Sequence, residues 1–271
     1  MTARLISLKE AVALIPSGAT LALGGMTLYR RPVAFVRQLI VHARFQQPVQ
    51  NLTLLAFTAG YESDLLVGAG IAKTIRTCYF GLEIFGFAPM FTYYANQGAL
   101  KIIEETEASI AFGLRARMAG VGFMPSLAWI GTDLPKLRQD IKTVIDPYSG
   151  EELIAFPAIE ADIAVIHALQ ADKDGNALLG KNKGIDEELA LTSKTVIITA
   201  EEIVPALQQA DIVAPFVDYL VYAPQGAKPT SCHPLYPVDG FELLDYVSSV
   251  SDATSFDRYL EKWLSLVHSE H

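Results

Sequence analysis

Short, nearly unbroken apolar runs recur along the chain, separated by small-residue turns and by stretches whose apolar positions fall three and four apart. The runs at 20–23, 51–57, 74–80, 162–169 and 194–200 have the texture of strands covered on both faces, where alternation disappears because neither side meets water. Between them, residues 32–44 place Val33, Phe35, Val36, Leu39 and Ile40 on one helical stripe. Ser7-Leu8-Lys9-Glu10 is a capping box that opens a short helix ending at Pro16-Ser17-Gly18. A small-residue turn, Thr58-Ala59-Gly60, leads into a helix through Asp64–Val67, and residues 100–104 and 105–118 read as a strand followed by a helix. Residues 187–193 predict a further helix, and 252–267 a terminal one with Phe256, Tyr259, Leu260, Trp263 and Leu264 on one face. Repeated strand–turn–helix order predicts an α/β fold, a mainly parallel sheet with helices on both faces.

Elsewhere the texture changes. Residues 141–145 and 152–156 flank Pro147-Tyr148-Ser149-Gly150 and predict a β-hairpin insertion. The aromatic segment 85–98 is expected to pack on the sheet, Phe123-Met124-Pro125 to end the unit before the hairpin, and 126–135 to be loop. Residues 201–204 begin a connection, 217–222 form the last strand, and 224–234 a proline-rich loop. There is no repeat, low-complexity tract or flexible linker, so residues 1–271 are expected to form one domain.

Composition narrows the function classes. A net charge of −9, with no basic cluster longer than a pair, argues against nucleic acid or an anionic membrane as partner. No apolar run reaches the ~18 residues of a membrane span, and the N-terminus has no signal-peptide core. The two cysteines, Cys78 and Cys232, lack metal-ligand spacing. A cytoplasmic protein without a disulfide or zinc site is expected.

Nucleophile elbows, His-Glu-x-x-His, Walker loops and Cys-x-x-Cys are all missing from the sequence. Gly68-x-Gly70 precedes a strand rather than following one, and reads as a turn. Asp172-x-Asp174-x-Asn176 fails the calcium-loop pattern at its sixth and twelfth positions and reads as a hairpin turn. The stretch from Gly18 to Pro32 is more suggestive. A buried strand stops at Gly24-Gly25, crosses Met26, Arg30 and Arg31, and enters a helix at Pro32. Bare peptide N–H groups at such a turn suit an anion or a carbonyl, unless the glycines serve only a tight turn. Arg30 and Arg31 would either meet a substrate carboxylate or be solvated. Glu104, Glu105 and Glu107 crowd a strand-to-helix junction. Neighbouring carboxylates raise one another's pKa when partly buried, which suits a base, while the helix dipole opposes the rise. His167 lies in a buried strand, where core hydrogen bonding is expected. His233, beside Cys232, either lines a site or is an exposed loop residue.

Five stretches occur in order over nearly the whole chain: Gly18-Ala-Thr-Leu-Ala-Leu-Gly-Gly25, Gly122-Phe-Met-Pro125, His167-x4-Asp172-x2-Gly175-Asn176, Glu201-Glu202-Ile203-Val204 and Gly226-Ala-Lys-Pro-Thr-Ser-Cys232. The ordered set resembles the A subunits of family I coenzyme A transferases, glutaconate CoA-transferase among them. The resemblance implies a three-layer α/β/α fold and a separate B subunit, in a heterodimer or an α2β2 heterotetramer. It also implies an active site at the contact between the two chains, a CoA thioester as substrate, and no permanently bound cofactor. In those transferases the attacking glutamate belongs to the B subunit, in a Ser-Glu-Asn-Gly motif that this chain lacks. Gly24, Gly25, Met26, Arg30, Arg31, Ser231 and His233 would then line the acyl-thioester pocket. Residues 28–37 are also similar to the A subunit of the CoA-thioester hydrolase that opens the last steroid ring in bacterial cholesterol breakdown. That branch uses an A-subunit glutamate, usually followed by an aromatic residue. Thr106 stands in the aromatic's place here, which makes Glu105 the candidate and Glu107 the second. A third reading, a non-catalytic ligand-binding or structural subunit, stays open.

Overall fold

The structure, a computed structural model, describes residues 3–269. Its strands are β1 (Arg4–Leu5), β2 (Thr20–Leu23), β3 (Leu52–Ala59), β4 (Ala72–Phe80), β5 (Lys101–Glu104), β6 (Phe123–Ser126), β7 (Lys142–Ile145), β8 (Glu152–Pro157), β9 (Ile163–Asp172), β10 (Ala177–Leu178), β11 (Thr195–Val204) and β12 (Tyr219–Tyr222). Its helices are α1 (Leu8–Val12), α2 (Val33–Phe45), α3 (Tyr61–Gly68), α4 (Pro89–Asn96), α5 (Glu107–Met118), α6 (Leu134–Leu137), α7 (Asp186–Thr192), α8 (Gly240–Ser249) and α9 (Ala253–Ser269).

The central sheet runs β1-β12-β11-β9-β2-β3-β4-β5, parallel throughout, with β10 added antiparallel to β9. The unbroken apolar runs have the predicted cause. In β9, Ile163 and Val165 enter one core with Leu21 and Leu23 and with residues of α2, α3, α8 and α9. Ala164, Ile166 and Ala168 enter a second core with Leu55 and with residues of α5 and α7. A two-residue side-chain period sends neighbours to opposite faces, and here both faces are covered. The result is the expected three-layer α/β/α arrangement. No helix among the described residues is long and apolar enough to cross a membrane.

Several boundaries differ from expectation for local reasons. Pro32 is the residue before α2 rather than its first, and α2 begins at Val33. Glu105 lies outside α5, because Thr106 is the N-cap and exchanges bonds with Ser109. The 201–204 stretch continues β11 instead of starting a connection, since β9 pairs with it as far as Val204. Residues 123–125 do not merely end a unit. They form most of β6, which pairs with β8, so the expected β7–β8 hairpin becomes a three-stranded antiparallel sheet. The aromatic segment forms α4, with Phe91 stacked on Phe80 at 4.1 Å. On α9, Phe256, Tyr259, Leu260 and Leu264 are buried, whereas the Trp263 side chain lies outside the described residues. Asp172 accepts the N–H groups of Asp174, Gly175 and Asn176, which makes the predicted turn.

Candidate active site

In a parallel sheet, ligands meet the carboxyl ends of the strands, and every sequence-derived candidate lies at that edge. The β2 turn, however, is closed on itself. Gly24 N–H donates to Val165 O at 2.9 Å, and Gly25 N–H to both Asp186 carboxylate oxygens at 2.9 and 3.1 Å. Met26 N–H donates to Tyr29 O, and Thr27 N–H to Thr58 Oγ1. The glycine pair therefore serves close approach by the protein's own chain. A Cβ on Gly25, whose φ is +82°, would stand 2.5 Å from Arg30 O. The expectation that these N–H groups face a substrate carbonyl is corrected: their partners are intramolecular.

Arg30 and Arg31 are corrected too. Both are fully buried, in place of the expected substrate-facing or solvated positions. Arg30 reaches Asp186 at 2.7 Å and donates to the backbone oxygens of His167 and Asn182. Arg31 reaches Glu62 at 2.6 Å and donates to Gly25 O. A guanidinium deep in a core is tolerable only when paired and hydrogen-bonded, and that is how the two are held.

The proline-rich loop crosses this turn. Ser231 donates to Leu28 O through N–H and hydroxyl, and its own carbonyl accepts Arg30 N–H at 2.7 Å. Ser231 thus ties two loops together. His233 is exposed, and its carbonyl accepts the Tyr29 hydroxyl. Met26 is half-buried, against Gly184. Beneath the loop, His167 is bonded through Nδ1 to Thr199 Oγ1 and through Nε2 to Glu201 Oε1, each at 2.8 Å, as a core histidine would be. Burial pushes its pKa down despite Glu201, which keeps the imidazole neutral at pH 7. Burial also raises Glu201, but hydrogen bonds from His167 and Tyr236 outweigh it and leave this carboxyl below its usual range. His167, Glu201 and Cys232 offer donor atoms within 4.8 Å of one another, a set of the kind that could hold a metal ion. In this arrangement Glu201 is occupied by His167, Tyr236 and Gln225 N–H.

A second cluster sits farther along the edge, around β4 and β5. Three strand spacings separate β2 from β5, or about 14 Å. Glu105 follows β5 directly, with its N–H on Thr77 O and only 4% of its surface exposed. Its Oε1 meets Arg76 Nε at 2.8 Å and Arg138 Nη1 at 2.9 Å, and its Oε2 accepts the Ser109 hydroxyl at 2.5 Å. Arg138 holds Asp140 with Nε and Nη2, both at 2.8 Å, and donates to Glu104 O. Trp129 covers this junction, with its Nε1–H on Thr106 Oγ1. The charged groups bonded to Glu105 are thus guanidinium groups, not the crowding carboxylates expected. Glu107, first residue of α5, and Glu104 are exposed. Arg76, Ser109, Arg138 and Asp140 were not legible as site residues. The one available signal was Thr106-x-x-Ser109, a capping pattern that brings Ser109 back towards Glu105.

The coenzyme A transferase family model matches residues 5–219. The chain is 32% identical to the A subunit of 3-oxoadipate CoA-transferase of Pseudomonas knackmussii, over 97% of this chain and 94% of that one. It is 28% identical to the IpdA subunit of the cholesterol ring-cleaving hydrolase of Mycobacterium tuberculosis, over 98% and 94%. Among solved structures, a cysteine-to-serine variant of the decarboxylase AibA/AibB superimposes with a TM-score of 0.89 at 32% identity, covering 97% of this chain and 99% of that one. Glutaconate CoA-transferase from Acidaminococcus fermentans does so with a TM-score of 0.87 at 29% identity, covering 96% and 88%. With four-fifths of its length inside the family match and its sheet order and paired loops in place, the chain belongs to the coenzyme A transferase family, in which it is of the A type.

Proposed function

We propose that this chain is the A subunit of a two-subunit, cytoplasmic enzyme that moves CoA from an acyl-CoA thioester to a carboxylic acid, with the B subunit completing the active centre. The observation that carries this reading is how the buried carboxylates at the strand ends are used. Glu62, Glu105 and Asp186 are each bonded to an arginine of the same chain, and Glu201 to His167. That supports a division of labour in which the attacking carboxylate comes from the partner. A partner carboxylate oxygen adds to the thioester carbonyl, and the CoA thiolate leaves to give an anhydride. The thiolate then takes the enzyme's acyl group, freeing the original acid, before CoA passes to the acceptor by the same steps in reverse. Met26 and His233, which retain exposed surface, are the proposed lining of the contact from this side. In the test, the co-purified A/B pair is incubated with an acyl-CoA and then borohydride. A reduced glutamate in the B subunit is the expected product. A pair that neither binds nor turns over any acyl-CoA sinks the enzyme reading and leaves a structural or ligand-binding subunit.

A second reading, a CoA-thioester hydrolase that uses Glu105 of this chain, is favoured by one feature. Glu105 is held between Arg76 and Arg138 at the carboxyl end of β5, and the chain is related to a ring-cleaving hydrolase subunit. Glu105→Gln in the folded pair would then abolish turnover with no trapped adduct in the partner, whereas the transferase reading predicts an adduct that still forms.

A further inference from the structure

The pocket expected for a substrate carboxylate at Arg30 and Arg31 is closed, which leaves open which cation, if any, takes that role. The two clusters at the sheet edge contain four arginines, and their nitrogen atoms are used differently. Arg30 and Arg31 are fully buried. Arg138 is 6% exposed at its side chain and has Nε, Nη1 and Nη2 all engaged, by Asp140, Glu104 O and Glu105. Arg76 differs. It meets Glu105 Oε1 with Nε at 2.8 Å and Nη2 at 2.7 Å, both from one edge of the guanidinium. Its Nη1 has no hydrogen-bond partner among the described residues, Asp140 interacts with its charge without bonding to it, and the side chain is 19% exposed. A guanidinium offers five donors in a fixed plane and can hold one carboxylate on the Nε/Nη2 edge and another on the Nη1/Nη2 edge. The Glu105 contact holds the first edge in place and so orients the second.

Position supports the same use. Arg76 lies on β4, and alternation puts it on the face with Cys78, beside Leu55 of β3 and Ile103 of β5 in register. That is the α5 side of the sheet, near the carboxyl ends where ligands are met. On that face the strand ends are apolar, since Phe57 and Cys78 pack on the second core. An acyl chain laid along this surface would find one unengaged cation edge.

We propose that Arg76 is a specificity-determining residue of this centre, and that its free Nη1/Nη2 edge receives a carboxylate carried on the acyl chain of the CoA thioester. The inference rests on the acyl-CoA reading above, and goes beyond it by naming the recognising group and the charge it selects. The test compares glutaryl-CoA with hexanoyl-CoA, which lacks the second carboxylate, on the co-purified pair containing wild-type, Arg76→Lys or Arg76→Gln chains. Circular dichroism melting confirms that each variant is folded. Arg76→Gln is expected to lower the preference for glutaryl-CoA over hexanoyl-CoA, read as the ratio of their KM values, by about 100-fold, the range of a lost charge-assisted pair, whatever loss the two thioesters share. Arg76→Lys, which keeps the charge without the planar fork, should recover part of the loss. Equal losses on both thioesters, an effect confined to kcat, or no selectivity for glutaryl-CoA in the wild type would overturn the role of Arg76 while the enzyme reading stands. Absence of turnover and binding with either thioester in the wild type would overturn both. If Arg76→Gln does not fold, Arg76→Lys decides, through its KM ratio between the two thioesters.

Discussion

Arg30 and Asp186, 156 positions apart, meet at 2.7 Å with neither side chain exposed. Asp186 also accepts Gly25 N–H on both oxygens, so a single carboxylate at the start of α7 fixes the turn after β2 and neutralises the cation that follows it. Both charges were taken out of water to make this contact, and their mutual attraction repays that cost only while both remain. The pair is therefore a point where the loop geometry can be tested.

Removing one partner should be far worse than removing both. Asp186→Asn keeps the shape but leaves a buried, uncompensated guanidinium, and should lower stability by about 3–5 kcal/mol in urea unfolding at pH 7. The double variant Arg30→Met/Asp186→Leu should recover part of that loss. A single-variant loss under about 1 kcal/mol would mean that the pair is solvated in solution.

Gly25 and Gly131 separate backbone strain from close approach. Both have positive φ, +82° and +79°. A Cβ at Gly131 meets nothing within 4 Å, while one at Gly25 would come within 2.6 Å of two carbonyl oxygens, those of Tyr29 and Arg30. Gly131→Ala should therefore cost only the left-handed penalty, about 1–2 kcal/mol. Gly25→Ala should exceed it by at least about 2 kcal/mol, because backbone has to move. Equal melting-temperature losses for the two would contradict the tight turn.

These two contrasts also show what the sequence could carry. The strands at 20–23 and 162–169 were legible because burial on both faces writes itself as an unbroken apolar run. The cap at Ser7 was legible because its partner, Glu10, is three residues away. The wrong reading of Arg30 and Arg31 had the opposite cause. Their partners, Asp186 and Glu62, lie in segments that approach only once the sheet is built, and a sequence does not distinguish an arginine facing solvent from one facing a distant carboxylate. Glu105 was picked out, but Arg76 and Arg138, 29 and 33 positions away, left no local pattern to announce them. Glu201–Val204 misled because a charged pair in a long strand looks like a strand end, while in the structure Glu201 turns inward to His167.

The thiols should be slow to react in the folded protein. Burial raises Cys232 to about 12, with Glu201 beside it, and Cys78 to about 11, with Glu107 adding to the effect. At pH 8 the thiolate fraction is on the order of a hundredfold lower for Cys78 and a thousandfold lower for Cys232 than for a free cysteine, and the thiolate is the reacting form. Ellman's reagent should find two thiols per chain in denaturant, the number the sequence contains, and negligible fast reaction in the native state. A rapid native burst of one thiol would show that one of them is exposed and activated.

Asp64 supplies the clearest pH dependence. It is fully buried at α3 and accepts Met90 N–H, Phe91 N–H and the Tyr246 hydroxyl. Burial raises its pKa to about 6 from 3.8; the three hydrogen bonds pull the other way, and nearby Glu62 adds to the rise. Between those two values the folded chain holds a proton on Asp64 that the unfolded chain has lost. Stability therefore falls as pH rises through this window, the favourable contribution being complete below about 4 and gone above about 6. The gap corresponds to about 3 kcal/mol. Carboxyls held below their usual range, Asp172, Asp211 and Glu201, act oppositely and matter only at still lower pH. Comparison with Asp64→Asn isolates the effect, because the two proteins share every other titrating group. Unfolding free energies measured by urea from about pH 4.5 to about pH 7.5 should show the wild type losing stability relative to the variant by on the order of 2–3 kcal/mol as pH rises. A difference that stays flat across the range would show that Asp64 titrates at its ordinary value and is reached by water.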